Sequence, residues 1–163
     1  MFAQLDTKSV YSFMDSVVDL NTYVKRAKEL GYQSIGLMDR DNLYAAYHFA
    51  QLAIRNGLRP LIGTEANLFY EGRKIPFRLL AKNNQGYKNL MKLATELSSG
   101  QREFTYFSDY LNDIALILPS EDWEPGMSLG SEVFIGVRPE DAGKEFDYPV
   151  VPLHTVRYFE NAD

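Results

Sequence analysis

Short apolar segments alternate with amphipathic ones along this chain, and this alternation limits the folds that it can adopt. Segments this short, with apolar residues on both faces, are typical of strands in a sheet that is covered on both sides. The predicted strands are 2–5, 34–38, 61–65, 66–70, 74–81, 114–118, 133–137 and 150–153. The pattern predicts an α/β fold with a largely parallel sheet or barrel.

Three segments with helical periodicity lie between these strands, over about 21–30, 43–56 and 83–97. Asp19 or Asn21 is suited to cap the first helix and Asn83 the third, while Gly31 and Gly57 follow the first two. The inward face of the third helix is predicted to carry Tyr87, Leu90, Met91 and Ala94. Glu71-Gly72 between two strand segments predicts a hairpin turn.

Length and composition exclude several classes of protein. A chain of 163 residues with 45% hydrophobic content can bury one core, so a single domain over residues 1–163 is expected. Because the chain has no cysteine, a disulfide scaffold, a thiolate zinc site and a cysteine nucleophile are excluded. No apolar run approaches the roughly 20 residues of a transmembrane helix, and the first residues do not resemble a signal peptide. A cytoplasmic location and no membrane partner are expected.

The charge balance argues against a dedicated duplex-binding domain. Lys and Arg number 17 against 22 Asp and Glu, which gives a formal charge of −5, and no dense basic run is present. Phosphate neutralisation supplies most of the affinity of DNA-binding domains. We expect weak or no DNA binding by this domain alone, with any DNA contact made through a larger chain.

Polar side chains recur at the ends of predicted strands, where ligands and catalytic groups gather in parallel α/β folds. These residues are Asp6, Lys8, Asp39, Arg40, Glu65, His154, Thr155 and Arg157. The alternative interpretation is that they are ordinary solvated loop charges. The chain has only two histidines, His48 and His154, and no glycine-rich phosphate-binding motif.

Several segments carry a resemblance to a known family. They are 11–16 (YSFMDS), 27–32 (AKELGY), 41–44 (DNLY), 59–65 (RPLIGTE), 80–90 (LAKNNQGYKNL) and 150–159. In these segments the chain resembles the N-terminal PHP (polymerase and histidinol phosphatase) domain of bacterial DNA polymerase III alpha subunits. The resemblance implies a distorted (β/α)7 barrel with mostly parallel strands and a metal cluster at one end.

The resemblance also implies a metal-ligand set from which this chain departs. Active members use His and carboxylate ligands for metal-dependent phosphoester hydrolysis. The opening His-x-His pair falls on Asp6 and Lys8, and the closing Asp-x-His pair falls on Thr155 and Arg157. The family's Thr-Asp-His triplet falls on Met38-Asp39-Arg40, and a further His is expected near Pro76. Of the family's ligands, this chain keeps only the carboxylates of Asp15, Asp39 and Glu65.

A degenerate former metal site is therefore predicted, with no catalytic residue and no metal in this domain. Its members are Asp6, Lys8, Asp15, Asp39, Arg40, Glu65, Thr155 and Arg157. Carboxylates that converge without metals need a counter-charge. We expect at least two of Lys8, Arg40 and Arg157 to lie within about 4 Å of these carboxylates.

Two functions from different classes follow from the resemblance. The favoured one is a structural and interaction domain, excised from a much longer polymerase chain and contacting that chain's other domains and replisome subunits. The divalent metal, Mg²⁺, would then belong to a polymerase site outside this segment. The alternative is a residual metal-dependent phosphoesterase or 3′–5′ exonuclease that uses Asp15, Asp39, Glu65 and His154. A free-standing regulatory protein with this fold is a third possibility.

Overall fold

The structure of the protein is a computed structural model that describes residues 3–12, 14–100, 103–130, 132–141 and 143–158. Phe2, Phe13 and Phe159 belong to segments named above but lie outside these ranges. No helix within the described ranges is both long and apolar enough to cross a membrane.

The described residues form strands and helices in the order that the alternating pattern predicts. The strands are β1 (Ala3–Gln4), β2 (Asp6–Thr7), β3 (Ser34–Arg40), β4 (Arg59–Tyr70), β5 (Arg73–Ala81), β6 (Ile114–Pro119), β7 (Val133–Val137), β8 (Val150–Pro152) and β9 (Thr155–Val156). The helices are α1 (Leu20–Glu29), α2 (Ala46–Arg55) and α3 (Asn84–Ser98), with short 3-10 helices at Phe104–Tyr110, Ser120–Asp122 and Pro139–Asp141.

The strands build one curled, mostly parallel sheet in the order β1-β3-β4-β5-β6-β7-β8. The pairs β4–β5 and β5–β6 are antiparallel, and the others in this sheet are parallel. Glu71-Gly72 makes the predicted hairpin turn between β4 and β5, which accounts for the first antiparallel pair. The predicted α/β fold with mostly parallel strands is confirmed.

The two edges of this sheet are joined by a short second pairing. β2 follows β1 after Leu5, β9 follows β8 after Leu153 and His154, and β2 pairs in parallel with β9. The chain passes very close to β3 at this point, because a Cβ on Gly36 would lie 2.3 Å from the Leu5 carbonyl oxygen. This seam brings β2, near the start of the chain, together with β9, the last described strand.

Apolar packing lies on both sides of the curled sheet. Inside it, Met38, Ile117 and Leu153 form a small buried cluster. Outside it, residues of α1 and α2 pack against β3, and residues of α3 and the 104–110 segment pack against β4, β5 and β6. The charged residues described below lie directly above this inner apolar cluster. Arg40 is two residues from Met38 on β3, and Arg78 is two residues from Leu80 on β5. Residues two apart on a strand point to the same face of the sheet.

Two helix predictions need correction. α2 begins at Ala46 rather than at 43, because the Asn42 side chain accepts a hydrogen bond from the Tyr44 amide and holds a turn there. On α3 the deeply buried residues are Leu90 and Leu93, whereas Met91 is exposed and Ala94 only half-buried. The buried face of α3 is therefore rotated by part of a turn from the predicted one. The apolar stripe of this helix is broad, so the sequence does not fix which part of the stripe is buried.

Substitution of Asp19 and of Asn21 should show which of these two residues caps the N-terminus of α1. The Asp19 carboxylate accepts a hydrogen bond from the Thr22 amide at 2.9 Å, while Asn21 lies inside the helix. Asp19→Ala is expected to lower the free energy of unfolding by about 1 kcal/mol, and Asn21→Ala by much less. Urea unfolding of both variants measures this difference, and equal losses would contradict the assignment.

Candidate functional site

A row of charged side chains crosses three neighbouring strands at one end of the sheet. Arg40 on β3 is in register with Glu65 on β4, which is in register with Arg78 on β5. Arg40 Nε lies 2.8 Å from Glu65 Oε1, and Arg78 Nη2 lies 3.2 Å from Glu65 Oε2. Glu65 therefore lies between two guanidinium groups. It is in the middle of β4, not at a strand end as predicted, because β4 continues to Tyr70.

Asp6 and Lys8 complete the buried part of this cluster. Lys8 Nζ lies 2.5 Å from Asp6 Oδ1 and 3.1 Å from Glu65 Oε2, so one ammonium group joins two carboxylates. Asp6 Oδ2 also lies 3.1 Å from Arg78 Nε and accepts a 2.6 Å hydrogen bond from the Thr155 hydroxyl. The side chains of Asp6 and Lys8 are 0% exposed and that of Glu65 is 2% exposed. These charges are removed from water.

Asp15 forms the outer part of the cluster with two arginines. Its carboxylate oxygens lie 3.0 Å from Arg40 Nη2 and 3.1 Å from Arg157 Nε. The contact with Arg40 is an ion pair by distance only, since Asp15 Oδ2 has no hydrogen-bond partner of good geometry among the described residues. Both arginine side chains are about two-fifths exposed, so solvent screens these outer pairs and each contributes about 0–1 kcal/mol.

Asp39 is buried at the same end of the sheet but is stabilised by hydrogen bonds and, in the described part of the chain, not by an ion pair. Its Oδ1 accepts hydrogen bonds from the Ser9 amide at 2.6 Å and the Ser12 hydroxyl at 2.7 Å, and its Oδ2 accepts one from the Ser9 hydroxyl at 2.7 Å. Within the described residues no cation lies within ion-pair distance of Asp39. Neutral donors of the 9–12 segment therefore satisfy this carboxylate.

The structure thus brings together all eight residues predicted for this site and adds Arg78, Ser9 and Ser12. The expected ion pairs of Lys8, Arg40 and Arg157 with nearby carboxylates are present, and Arg78 supplies a fourth cation. The formal charges cancel, because four cations lie among the four carboxylates of Asp6, Asp15, Asp39 and Glu65. Ser9 and Ser12, which bind Asp39, were also not predicted.

The sequence contains a pattern that identifies Arg78. Counting outward from the turn at Glu71-Gly72, Glu65 precedes the turn by as many residues as Arg78 follows it, so the hairpin sets them opposite each other. Arg78 also stands two residues after Pro76, near which the resemblance places a histidine. Pro76 itself pairs with Asn67, so Arg78 and not Pro76 lies opposite Glu65.

The surrounding charges set the pKa values of the two central carboxylates. Burial is the largest influence on the pKa of Asp6 and raises it, but the charges of Lys8 and Arg78 and hydrogen bonds from Lys8 and Thr155 together outweigh burial. The same balance operates at Glu65, where Lys8, Arg78 and Arg40 oppose burial. Both carboxyl groups have pKa values below their ordinary ones and are ionised at neutral pH.

These side chains do not fit the divalent metal ions that the predicted family ligand set implies. Lys8 Nζ lies between Asp6 and Glu65, and each oxygen of these two carboxylates is already within 3.2 Å of a cationic nitrogen. In the described part of the chain, no three His, Cys, Asp or Glu side chains are grouped so that they could hold a metal ion. A metal would have to displace ammonium and guanidinium groups from the oxygens that it needs.

The barrel-like sheet and the carboxylate cluster at its end agree with the family that sequence comparison identifies. The sequence profile of the PHP domain matches residues 4–124, and the chain belongs to this family.

Curated relatives place the family match within a larger protein. The DNA polymerase III subunit alpha of Streptococcus pyogenes serotype M1 is 46% identical over 165 residues, which cover 100% of this chain and 16% of that protein. The corresponding subunit of Bacillus subtilis is 33% identical over 126 residues, covering 74% of this chain and 11% of that one. The chain therefore spans only a small part of the length of these relatives.

Solved structures show a more distant likeness. An amidohydrolase from Chromobacterium violaceum is 18% identical, with a TM-score of 0.48, and the match covers 58% of this chain and 32% of that one.

Proposed function

We propose that this chain is a catalytically inactive PHP domain that acts as a structural and interaction module of a DNA polymerase III alpha subunit. The observation that carries the proposal is the position of Lys8 Nζ between Asp6 and Glu65, with Arg78 bound to the same two carboxylates. A hydrolytic metal centre needs free carboxylate oxygens and an open position for water. Cations that already bind these oxygens leave neither.

The proposed setting follows from the relatives. Both curated relatives reported above are named as DNA polymerase III alpha subunits and are several times longer than this chain. We infer that its partners are other domains of such a polymerase and replisome subunits, in the cytoplasm, and that Mg²⁺ serves a polymerase site outside these residues. The formal charge of −5 supports weak duplex binding by this domain alone.

Release of nucleotides from a DNA 3′ end tests the loss of catalysis. The purified chain is incubated with a 3′-labelled oligonucleotide in Mn²⁺, Zn²⁺ or Mg²⁺, and no release above a protein-free control is expected. The Glu65→Gln variant is the matched control, because it removes the central carboxylate charge. Metal-dependent release that Glu65→Gln abolishes would overturn the proposal in favour of a residual phosphoesterase or exonuclease. If Glu65→Gln releases nucleotides as fast as the wild type, the release does not come from this cluster, and the proposal of an inactive site stands.

A further inference from the structure

The layer of helices outside the sheet has a gap between α2 and α3. In a mostly parallel sheet, a helix joins each strand to the next and covers the outer face of the sheet. α2 joins β3 to β4 in this way and α3 lies between β5 and β6, but the turn at Glu71-Gly72 joins β4 directly to β5. Because a hairpin takes the place of a helix there, residues 59–62 of β4 remain part of the lining of a groove between α2 and α3.

Two adjoining cavities form this α2–α3 groove. The first has a volume of about 310 Å³ and is lined by α2, the start of β4 and the start of α3. The second has a volume of about 380 Å³ and is lined by residues 41–44 and by α3. Tyr87 lines both cavities, so they are continuous. The lining of α3 runs from Asn84 to Ser98, which at a rise of about 1.5 Å per residue is about 21 Å of helix.

Large aromatic and apolar side chains of this groove are exposed to water. Tyr44 is 80% exposed, Tyr47 is 73% exposed and Met91 is 42% exposed. The small side chains of Ala50 and Ala81 belong to the same lining and leave room for a partner to approach closely. Single exposed apolar residues are ordinary, but a contiguous set marks a protein-interaction surface, where Tyr and Met are enriched.

The sequence of α3 carries more apolar surface than the sheet covers. Leu90 and Leu93 are buried against the sheet, whereas Tyr87, Met91 and Ala94 line the groove. The face predicted from the sequence combined residues of both sets, which is why it differs from the buried one. A helix with an apolar stripe this broad is suited to pack against two partners, of which the sheet is one.

The charges of the groove add a requirement for its occupant. Arg59 and Lys82 line the first cavity and Asp41 lines the second. Lys82 pairs with Glu132, and Asp41 accepts hydrogen bonds from Asn67. In the described part of the chain, no side chain binds the guanidinium of Arg59. An acidic side chain of the occupant would compensate this charge.

A helix from the same polymerase chain is the occupant that these features favour. A gap where the layer lacks a helix, lined along one side by four turns of α3, has the shape that helix-in-groove recognition requires. This chain covers only 16% of the Streptococcus pyogenes subunit, so most of such a polymerase lies outside these residues. A segment of the same chain is present at high effective concentration, so it needs less contact area than a separate partner.

We propose that the α2–α3 groove binds an amphipathic helix from the part of the polymerase chain outside residues 1–163. The apolar face of that helix packs on Tyr47, Tyr87 and Met91, and one of its acidic side chains pairs with Arg59. The inference rests on the proposed function, because it takes the occupant from the longer polymerase. It names the surface through which the interaction module contacts that polymerase.

Photo-cross-linking in the full-length polymerase chain tests the proposal. The photoreactive residue p-benzoylphenylalanine is introduced in place of Tyr47, the chain is irradiated in cells, and the purified products are identified by mass spectrometry. The matched control carries the probe in place of Leu30, which is 61% exposed at the end of α1 and outside the groove. We expect the Tyr47 probe to link to one peptide outside residues 1–163, with apolar residues at helical spacing, in a product of monomer size. The Leu30 probe should give no link to that peptide.

Two variants with the Tyr47 probe test the contacts themselves. Met91→Glu is expected to lower the yield of the cross-link about tenfold, because a carboxylate without a partner is costly to bury. Leu30→Glu is its matched control and should leave the yield unchanged. Arg59→Gln is expected to lower the yield about threefold, as is typical of losing an exposed ion pair, whereas Arg55→Gln in the last turn of α2 should not. Met91, Arg59 and both control residues are exposed, so these variants should fold.

Several results would overturn the proposal. A product of twice the chain mass would assign the groove to a second copy, and a link to a different protein would assign it to a separate partner. No link from the Tyr47 probe, equal links from both probes, or equal yields in Met91→Glu and Leu30→Glu would show that the groove does not hold the helix. None of these results involves nucleotide release, so the proposed loss of catalysis is tested separately and failures of the two proposals are distinguishable.

Discussion

Replacing Lys8 with methionine is expected to lower the free energy of unfolding by about 3–5 kcal/mol. Lys8 Nζ contacts both Asp6 and Glu65, and all three side chains are buried. Methionine fills a similar volume but leaves the two carboxylates with less positive charge around them. An uncompensated buried charge costs far more than the lost pair contributes, which is why the expected effect is large. Urea unfolding at pH 7 measures it.

Lys82→Met is the matched control for this substitution. Lys82 contacts Glu132 on the surface, where both side chains are more than two-fifths exposed, and such pairs contribute about 0–1 kcal/mol. If Lys8→Met prevents folding, the double variant Asp6→Asn/Lys8→Met should recover part of the stability. Glu65 is then the only carboxylate of the buried pair that still carries a charge, and Arg40 and Arg78 compensate it. The buried-cluster interpretation would be contradicted if Lys8→Met lowered the free energy of unfolding no more than Lys82→Met does. It would also be contradicted if the double variant were no more stable than Lys8→Met.

The cluster also stabilises the seam, where β2 pairs with β9. β2 and β9 have two residues each, so few ladder hydrogen bonds join the edges of the sheet there. Asp6 on β2 contacts Thr155 on β9 and Arg78 on β5, and the Gln4 side chain donates to the His154 carbonyl oxygen at 2.6 Å. Side-chain contacts thus connect the first strands to the last one where backbone pairing is short.

Features of the fold that depend on local chemistry could be predicted from the sequence. Asp19 and Asn83 cap their helices through their own side chains, and Gly31 and Gly57 adopt the positive φ that a helix end requires. Such choices depend on a few neighbouring residues, so the sequence alone was enough to make them. The resemblance to the PHP family placed the charged residues at one end of the sheet.

Features that depend on pairing between distant segments were harder to predict. Glu65 was expected to end a strand, but β4 continues because β5 pairs with it along most of its length. Arg78 was missed because its importance arises only when the hairpin register sets it opposite Glu65. Asp39 was expected to need a cation, whereas the serines of the 9–12 segment satisfy it, and a sequence does not show how a loop folds back onto a strand.

The stability of the protein should fall in acid, below about pH 4.5. The ordinary pKa values are 3.8 for Asp6 and 4.5 for Glu65, and in the folded protein both pKa values are lower. A group with a depressed folded-state pKa contributes stability that is fully present above its unfolded pKa and is lost as the pH falls through its folded pKa. The stability contributed by these two ionised carboxylates therefore begins to decline near pH 4.5 and is lost progressively below it.

Lys8→Met should change this pH dependence in a way that loss of packing alone does not. Burial raises both pKa values, and Lys8 is the largest of the influences that lower them. Without it the two carboxyl groups take up protons at higher pH than in the wild type, and each unit of that difference corresponds to about 1.4 kcal/mol. The difference in unfolding free energy between wild type and Lys8→Met should therefore become smaller as the pH falls from 7 to 3, whereas that between wild type and Lys82→Met stays nearly constant. Urea unfolding at unit pH steps measures both differences. A difference for Lys8→Met that is the same at every pH would mean that the side chain acts through its volume, and the electrostatic account of the cluster would be wrong.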